Sequence, residues 1–437
     1  MPPAPREYDL LIWGANGFTG RLAAEYAIKH YHAKSTVRVA LGGRNEAKLA
    51  QTRANIAKAL NIDASSVDVL VGRDEATMRA SVEKARVVLS FAGPFDCESG
   101  YALARSCADA ATDYVDITGE PQFVKRVVES EHEKAKAKGC ALVSCAGYDS
   151  VPWDLGTYLA AKAVRESADG ATVTHAHAHA GKSRGGVSGG TIASAANILR
   201  KPKSETRGMG DPHFLAKSEW AKKPDVEAAR RWPSPQSGVK YDEDTKTWTM
   251  PSIMAGINSK VVARSYSLCP ERYGPKFRYD ESDLCKSRKS AHLGALALGL
   301  FGVCFVTPPL RWIMRKTILP AQGQGPNEDT LNNGYSHVYV VAKGEKAGGA
   351  PVEPQCAEFE FKNADPGYRG TAALACETAL CLAIASERER LPWTKQPDGG
   401  GCMTPSVCMG DVLVERLNKA DNFSVSVKTL KDTVFRI

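Results

Sequence analysis

Tyr8-Asp-Leu-Leu-Ile-Trp13-Gly14-Ala-Asn16-Gly17-Phe18-Thr19-Gly20 is the stretch that decides the fold. A short apolar run, Tyr8–Trp13, ends in three glycines spaced three apart, and a helical pattern from Gly20 to His30 follows. Strand, glycine turn and helix in that order form the opening of a dinucleotide-binding βαβ unit. Without a Cβ, Gly14 lets the chain turn tightly, Gly17 lets the backbone approach a pyrophosphate, and Gly20 permits close packing of helix on strand. The helix start offers N–H groups and a partial positive charge to phosphates, so Asn16, Phe18 and Thr19 join the glycines as expected cofactor contacts. The spacing is GxxGxxG rather than the commoner GxGxxG.

Working outward, apolar runs recur at Val37–Leu41, Val67–Leu70, Val87–Phe91, Tyr114–Ile117 and Ala141–Ser144, with helical patterns between them. That rhythm predicts a doubly wound parallel sheet of the Rossmann type over residues 1–150. The second strand ends in Gly42-Gly43-Arg44-Asn45, where an NAD site usually carries a carboxylate. A guanidinium instead suits a 2′-phosphate, so Arg44 predicts NADP in preference to NAD. The alternative is a solvated arginine beside a helix-capping Asn45. In Ala92-Gly93-Pro94-Phe95, after the fourth strand, Gly93 and Pro94 are expected to border the nicotinamide side of the crevice, unless they only make a turn.

Beyond Pro152 the character changes, and an α+β domain with a mixed sheet is expected over 151–386. Val173–Ala180 alternates as a strand, and a glycine-rich turn at 185–190 leads into a helix from about Ile192. Residues 201–250 read as a polar insertion with little regular structure, and runs at 258–268, 335–342 and 355–362 read as strands. Residues 387–437 form a C-terminal segment expected to pack back on the first domain.

The chain of 437 residues is 43% hydrophobic and 24% charged, which excludes a disordered chain and a multi-span membrane protein. Its twelve cysteines include no CxxC pair, and the start lacks the apolar core of a signal peptide; a cytosolic setting is the simplest expectation. The net charge of +8 is unevenly placed: residues 182–316 hold 24 basic and 12 acidic residues, whereas residues 1–150 hold 19 of each. That basic segment contains Leu293–Val306, 14 residues without a charge, flanked by Lys286, Arg288 and Lys289 before, and by Arg311, Arg315 and Lys316 after. Apolar length beside basic charge favours an anionic membrane over nucleic acid as partner. Fourteen residues fall short of a span, and Pro308-Pro309 would end a helix, so a re-entrant or interfacial segment over 290–318 is expected, with Trp312 at the boundary. The alternative is a buried helix, as at the subunit interface of a homodimer.

Several short motifs occur in a specific order: Gly14–Gly20; Ala92-Gly93-Pro94-Phe95; Tyr114-Val-Asp116-Ile-Thr-Gly119-Glu120; Gly147-Tyr148-Asp149-Ser150-Val-Pro152-Trp-Asp154; Ser188-Gly189-Gly190-Thr191; Val261-Val-Ala-Arg264-Ser265; and Gly400-Gly401 with Thr404-Pro405. In this the chain resembles the saccharopine dehydrogenase-like oxidoreductases, including the bacterial trans-acting enoyl reductases. The resemblance implies an NADP domain followed by a mixed-sheet domain that shares the substrate cleft. It leaves open reduction of a lipid-like enoyl or carbonyl substrate at a membrane or lipid-droplet surface on its cytoplasmic face, a soluble saccharopine-type dehydrogenase, and a lipid-surface protein that binds nucleotide without turnover.

A reductase needs a proton source, and Tyr148 and Asp149 are the expected catalytic residues, at the end of the sixth strand where ligands gather in such sheets. The competing reading of Asp149-Ser150-Val-Pro152 is a helix cap. Tyr114, Asp116 and Glu120 are read as bracing loops. His175, His177 and His179 alternate along one strand and share a face. No second cluster with ligand spacing accompanies them in the sequence, so no metal site is expected and a polar sheet face is.

Overall fold

The computed structural model describes residues 6–186, 188–217, 232–320, 324–396 and 399–437. Two seven-stranded sheets organise them. In the first, β1 (Tyr8–Trp13), β2 (Val39–Gly43), β3 (Val69–Val71), β4 (Ala85–Ser90), β5 (Asp113–Asp116), β6 (Ala141–Val143) and β13 (Gly401–Met403) are all parallel, in the order β13-β6-β5-β4-β1-β2-β3. Helices cover both faces, which is why its central strands are continuous apolar runs. Side chains alternate between the layers: Leu10 and Ile12 of β1 enter one core, Leu11 and Trp13 the other.

The second sheet contains β7 (Thr172–Arg184), β8 (Lys240–Asp242), β9 (Thr247–Pro251), β10 (Tyr279–Cys285), β11 (Tyr335–Glu345), β12 (Gln355–Phe361) and β14 (Phe423–Thr429), in the order β14-β12-β11-β7-β10-β9-β8. It is mixed: β7 and β10 run parallel, and their other neighbours are antiparallel. The helix Val151–Ser167 packs on one face of this sheet, close enough that a Cβ on Gly156 would stand 2.8 Å from Val340. An α/β first domain followed by a mixed-sheet second domain is therefore the architecture.

Some local expectations change. Residues 258–268 lie within the helix Ala255–Leu268, not a strand. Its Val261-Val262-Ala263 run suggests β structure locally, but the helix is wedged between layers and buried on most sides, which removes the amphipathic signature. The polar insertion contains the β8–β9 hairpin; its residues 218–231 lie outside the described residues. The C-terminal segment divides between the sheets, β13 closing the edge of the first and β14 the edge of the second. The helix Thr371–Ala383, placed by sequence in the second domain, lies wholly buried against the helix Phe18–Ala27 and the first sheet.

The apolar run forms a longer helix than its uncharged core suggests. Ser287 and Ser290 make a capping box that starts the helix at Arg288, and it runs 19 residues to Val306, about 28 Å. It is the single helix among the described residues long and apolar enough to cross a membrane by length and composition. Thr307, extended at φ −76° and ψ 114°, breaks it, and the helix Pro308–Thr317 follows directly.

Candidate active site

The glycine loop has the geometry its spacing implies. Gly14 sits at φ +79°, and a Cβ there would stand 2.9 Å from the Ala92 nitrogen. A Cβ on Gly20 would fall 2.2 Å from the Gly14 carbonyl oxygen, so the third glycine is required for helix-on-strand contact. Gly17 begins the helix Phe18–Ala27, and no side chain caps it. Its first-turn N–H groups, from Phe18 and Thr19 onward, are left for an anion. Asn16 lies at the end of β2, its Oδ1 3.3 Å from where a Gly43 Cβ would be. The Phe18 ring packs edge-on against Tyr368, with centroids 5.5 Å apart, so its side chain supports the loop.

Arg44 follows the last residue of β2, exposed and with no side-chain partner among the described residues. Asn45 separately caps the helix Glu46–Leu60 by accepting from the Lys48 N–H at 3.0 Å. The turn thus has an exposed arginine beside a capping asparagine, an arrangement that leaves the guanidinium accessible to a 2′-phosphate. Arg73, two residues past β3 and also exposed, went unnoticed in the sequence; its signal was its place after the neighbouring strand, since Gly43 pairs with Val71.

The other wall comes from the second domain. The helix Gly189–Ile198 lies over the loop that contains Gly93 and Pro94: Ser194 Oγ would be 3.9 Å from a Gly93 Cβ. Glu120 is buried and holds the loop from below, accepting from the Phe95 N–H at 2.9 Å and the Asp96 N–H at 3.2 Å. Asp96 pairs in turn with Lys201 at 2.8 Å, beyond the end of the roof helix. Tyr368 completes the roof, its hydroxyl accepting from the Ser188 N–H and bonding Thr191 at 2.9 Å.

The carboxylates after β5 and β6 separate by role. Asp116 accepts from the Thr118 N–H at 2.9 Å and the Ser144 hydroxyl at 2.9 Å, and burial lifts its pKa to about 6; it braces the loops. Asp154 ties the helix Val151–Ser167 to Ser265 and to the Ser406 N–H. Tyr148 is anchored: its N–H donates to Thr371 at 3.1 Å, its hydroxyl lies 2.9 Å from Ser336 Oγ, and its ring packs edge-on against Trp153 and Phe361. Asp149, next to it, stays open to solvent, yet the walls around it displace enough water to raise its pKa to about 6. Ser150, not Asp149, stands at the start of the helix, and no side chain caps it.

A glycine cradle, an uncapped helix start and an unpaired arginine at the end of β2 fit a phosphorylated dinucleotide. They define an NADP-binding oxidoreductase whose cleft is shared by two domains. The family described as "Saccharopine dehydrogenase NADP binding domain" matches residues 10–143. Over 442 residues, 99% of each chain, the protein is 32% identical to a Mycobacterium tuberculosis protein named as a candidate trans-acting enoyl reductase. It is 31% identical over 430 residues to the trans-acting enoyl reductase of the same species, covering 95% of this chain and 97% of that one. The apo saccharopine dehydrogenase (L-Glu forming) of Saccharomyces cerevisiae shares the fold, with a TM-score of 0.53 at 14% identity over 96% of this chain and 99% of that one. The chain belongs to the saccharopine dehydrogenase-like oxidoreductases, on the side of the trans-acting enoyl reductases.

Proposed function

We propose that the protein reduces an enoyl or carbonyl group on a lipid-like substrate while resting on the cytoplasmic face of a membrane or lipid droplet. NADPH supplies the hydride. Gly14, Gly17 and Gly20 hold the pyrophosphate, Arg44 binds the 2′-phosphate, and the Gly93–Pro94 loop under the roof helix positions the nicotinamide end. Asp149 delivers the balancing proton to the carbon or oxygen left electron-rich by hydride addition, and Tyr148, held by Thr371 and Ser336, fixes the loop that carries it.

The observation that carries the lipid reading is the uncovered pair of successive helices, Arg288–Val306 and Pro308–Thr317, beside the cleft. Leu296, Val303 and Trp312 are 60%, 62% and 65% exposed, and Lys286, Lys289, Arg315 and Lys316 are exposed at its base and end. Apolar faces of this size rimmed by basic residues suit headgroups and acyl chains. Phe305 of the apolar helix packs with Ile192 and Ala196 of the roof helix, so a surface-bound chain would have a short way into the cleft. The relatives named enoyl reductases support the chemistry.

The test combines flotation on anionic liposomes with NADPH oxidation in their presence. Binding that survives 1 M salt, where the Debye length is about 3 Å, marks apolar insertion; binding wholly lost at that salt leaves a peripheral basic patch and removes the lipid-surface part. Oxidation of NADPH by a long-chain enoyl thioester, with no reduction of NADP+ by saccharopine, supports the reductase, and the reverse preference overturns it. Tight NADPH binding with no turnover on either substrate would favour a nucleotide-binding surface protein.

A further inference from the structure

We propose that His177, His179 and Asp242 form a binding site for a divalent transition cation of the zinc type. The three side chains bring one donor atom each to within 4.8 Å of one another. His177 Nδ1 lies 3.4 Å from Asp242 Oδ2. Ligands at about 2.0–2.1 Å from a tetrahedral zinc stand about 3.3–3.4 Å apart, so this pair already has the spacing of two neighbouring ligands. Two histidines and a carboxylate are a donor set that zinc accepts.

The surrounding hydrogen bonds leave the right lone pairs. Ser282, paired across from His179 on β10, places its Oγ 3.0 Å from His177 Nε2 and 3.0 Å from His179 Nδ1. A hydroxyl has two lone pairs, so it can accept an N–H from both rings. The remaining nitrogens, His177 Nδ1 and His179 Nε2, are then bare acceptors. His179 is wholly buried, and its Nε2 has no hydrogen-bond partner among the described residues. Asp242 Oδ1 is committed to the N–H and hydroxyl of Thr245, both at 2.8 Å, which steadies the carboxylate while Oδ2 faces His177. Asp280 Oδ1 bonds His175 Nε2 at 2.9 Å and stands 3.8 Å from His177 Nε2, adding negative charge beside the cluster. A cavity of about 490 Å³, lined in part by His175 and Asp280, lies next to the cluster.

The sequence lacked a second cluster because the carboxylate arrives by topology: β8 reaches the histidines across β9 and β10. The competing occupant of the His177–Asp242 gap is a proton, which would make an ion pair there and still leave His179 Nε2 unpaired. The experiment uses the full chain without a histidine tag, stripped with chelator and titrated with Co²⁺. One equivalent should bind with the visible absorption of a tetrahedral centre and be displaced by Zn²⁺. His177→Ala and Asp242→Asn should each weaken binding by roughly 100-fold, while NADPH titration shows that the fold and the nucleotide site persist. His175→Ala should keep the stoichiometry at one. Absence of Co²⁺ binding to the unmodified chain overturns the site whatever the variants do, and so does binding that is unchanged in both ligand variants.

Discussion

On the proposed reading Arg44 selects the nucleotide: it is exposed at the end of β2, and no acidic side chain among the described residues neutralises it. Replacing it with Asp should weaken NADPH by about 1.5–3 kcal/mol, roughly 10- to 150-fold, and leave NADH nearly unchanged in a fluorescence titration. Equal loss for both nucleotides would remove Arg44 from the 2′-phosphate site. Asp149 sets a pH limb. Loss of water to the walls around it raises the pKa of this accessible carboxyl to about 6, so the protonated form persists up to that pH and is lost above it. If this carboxyl delivers the proton, kcat should fall as pH rises through about 6, and Asp149→Asn should lower kcat by 10²- to 10⁴-fold, the usual range for an acid catalyst, and abolish that limb. A variant that keeps both the limb and the rate would move the proton source elsewhere.

Among the elements, the short run from Glu120 to the roof helix shows how the cleft floor is held. Glu120→Gln replaces one accepting oxygen with an amide donor facing the Phe95 or Asp96 N–H. One buried N–H left unpaired costs about 1–3 kcal/mol, and the expected outcome is a lower melting temperature with a higher KM for NADPH. Most strands of the first sheet were legible because buried parallel strands are short apolar runs; β1 spans the residues its pattern marks. The cleft walls were less so. Tyr368, Ser194 and Glu120 belong to segments far apart in the chain, and no local spacing joins them. The helix Ala255–Leu268 was read as a strand because burial on most of its sides hides the period of a helix. The apolar helix was read as too short because its start is set by serine caps and not by apolar content.

At the level of the whole molecule, long-range polar contacts fasten the late segments to the early ones. Glu377, in the helix Thr371–Ala383, is 1% exposed; it accepts from Tyr26 at 2.8 Å and pairs with Arg416 at 2.7 Å. Arg416 in turn donates to the Tyr31 hydroxyl at 3.0 Å. Removing one partner of a buried pair strands the other charge, so Glu377→Gln should destabilise the protein by about 3–5 kcal/mol in denaturant unfolding. A shift below 1 kcal/mol would show that the pair is dispensable.

The closing of the first sheet by β13 has a consequence for how the protein is made. The edge of β6 stays unpaired until residues 401–403 have been synthesised. A ribosome that has released only the first 150 residues therefore carries a nascent domain with one bare strand edge, open to pairing with a neighbouring chain. The nucleotide half thus completes its sheet only after residues 401–403 have left the ribosome, and a nascent chain stalled earlier presents that edge to chaperones and proteases.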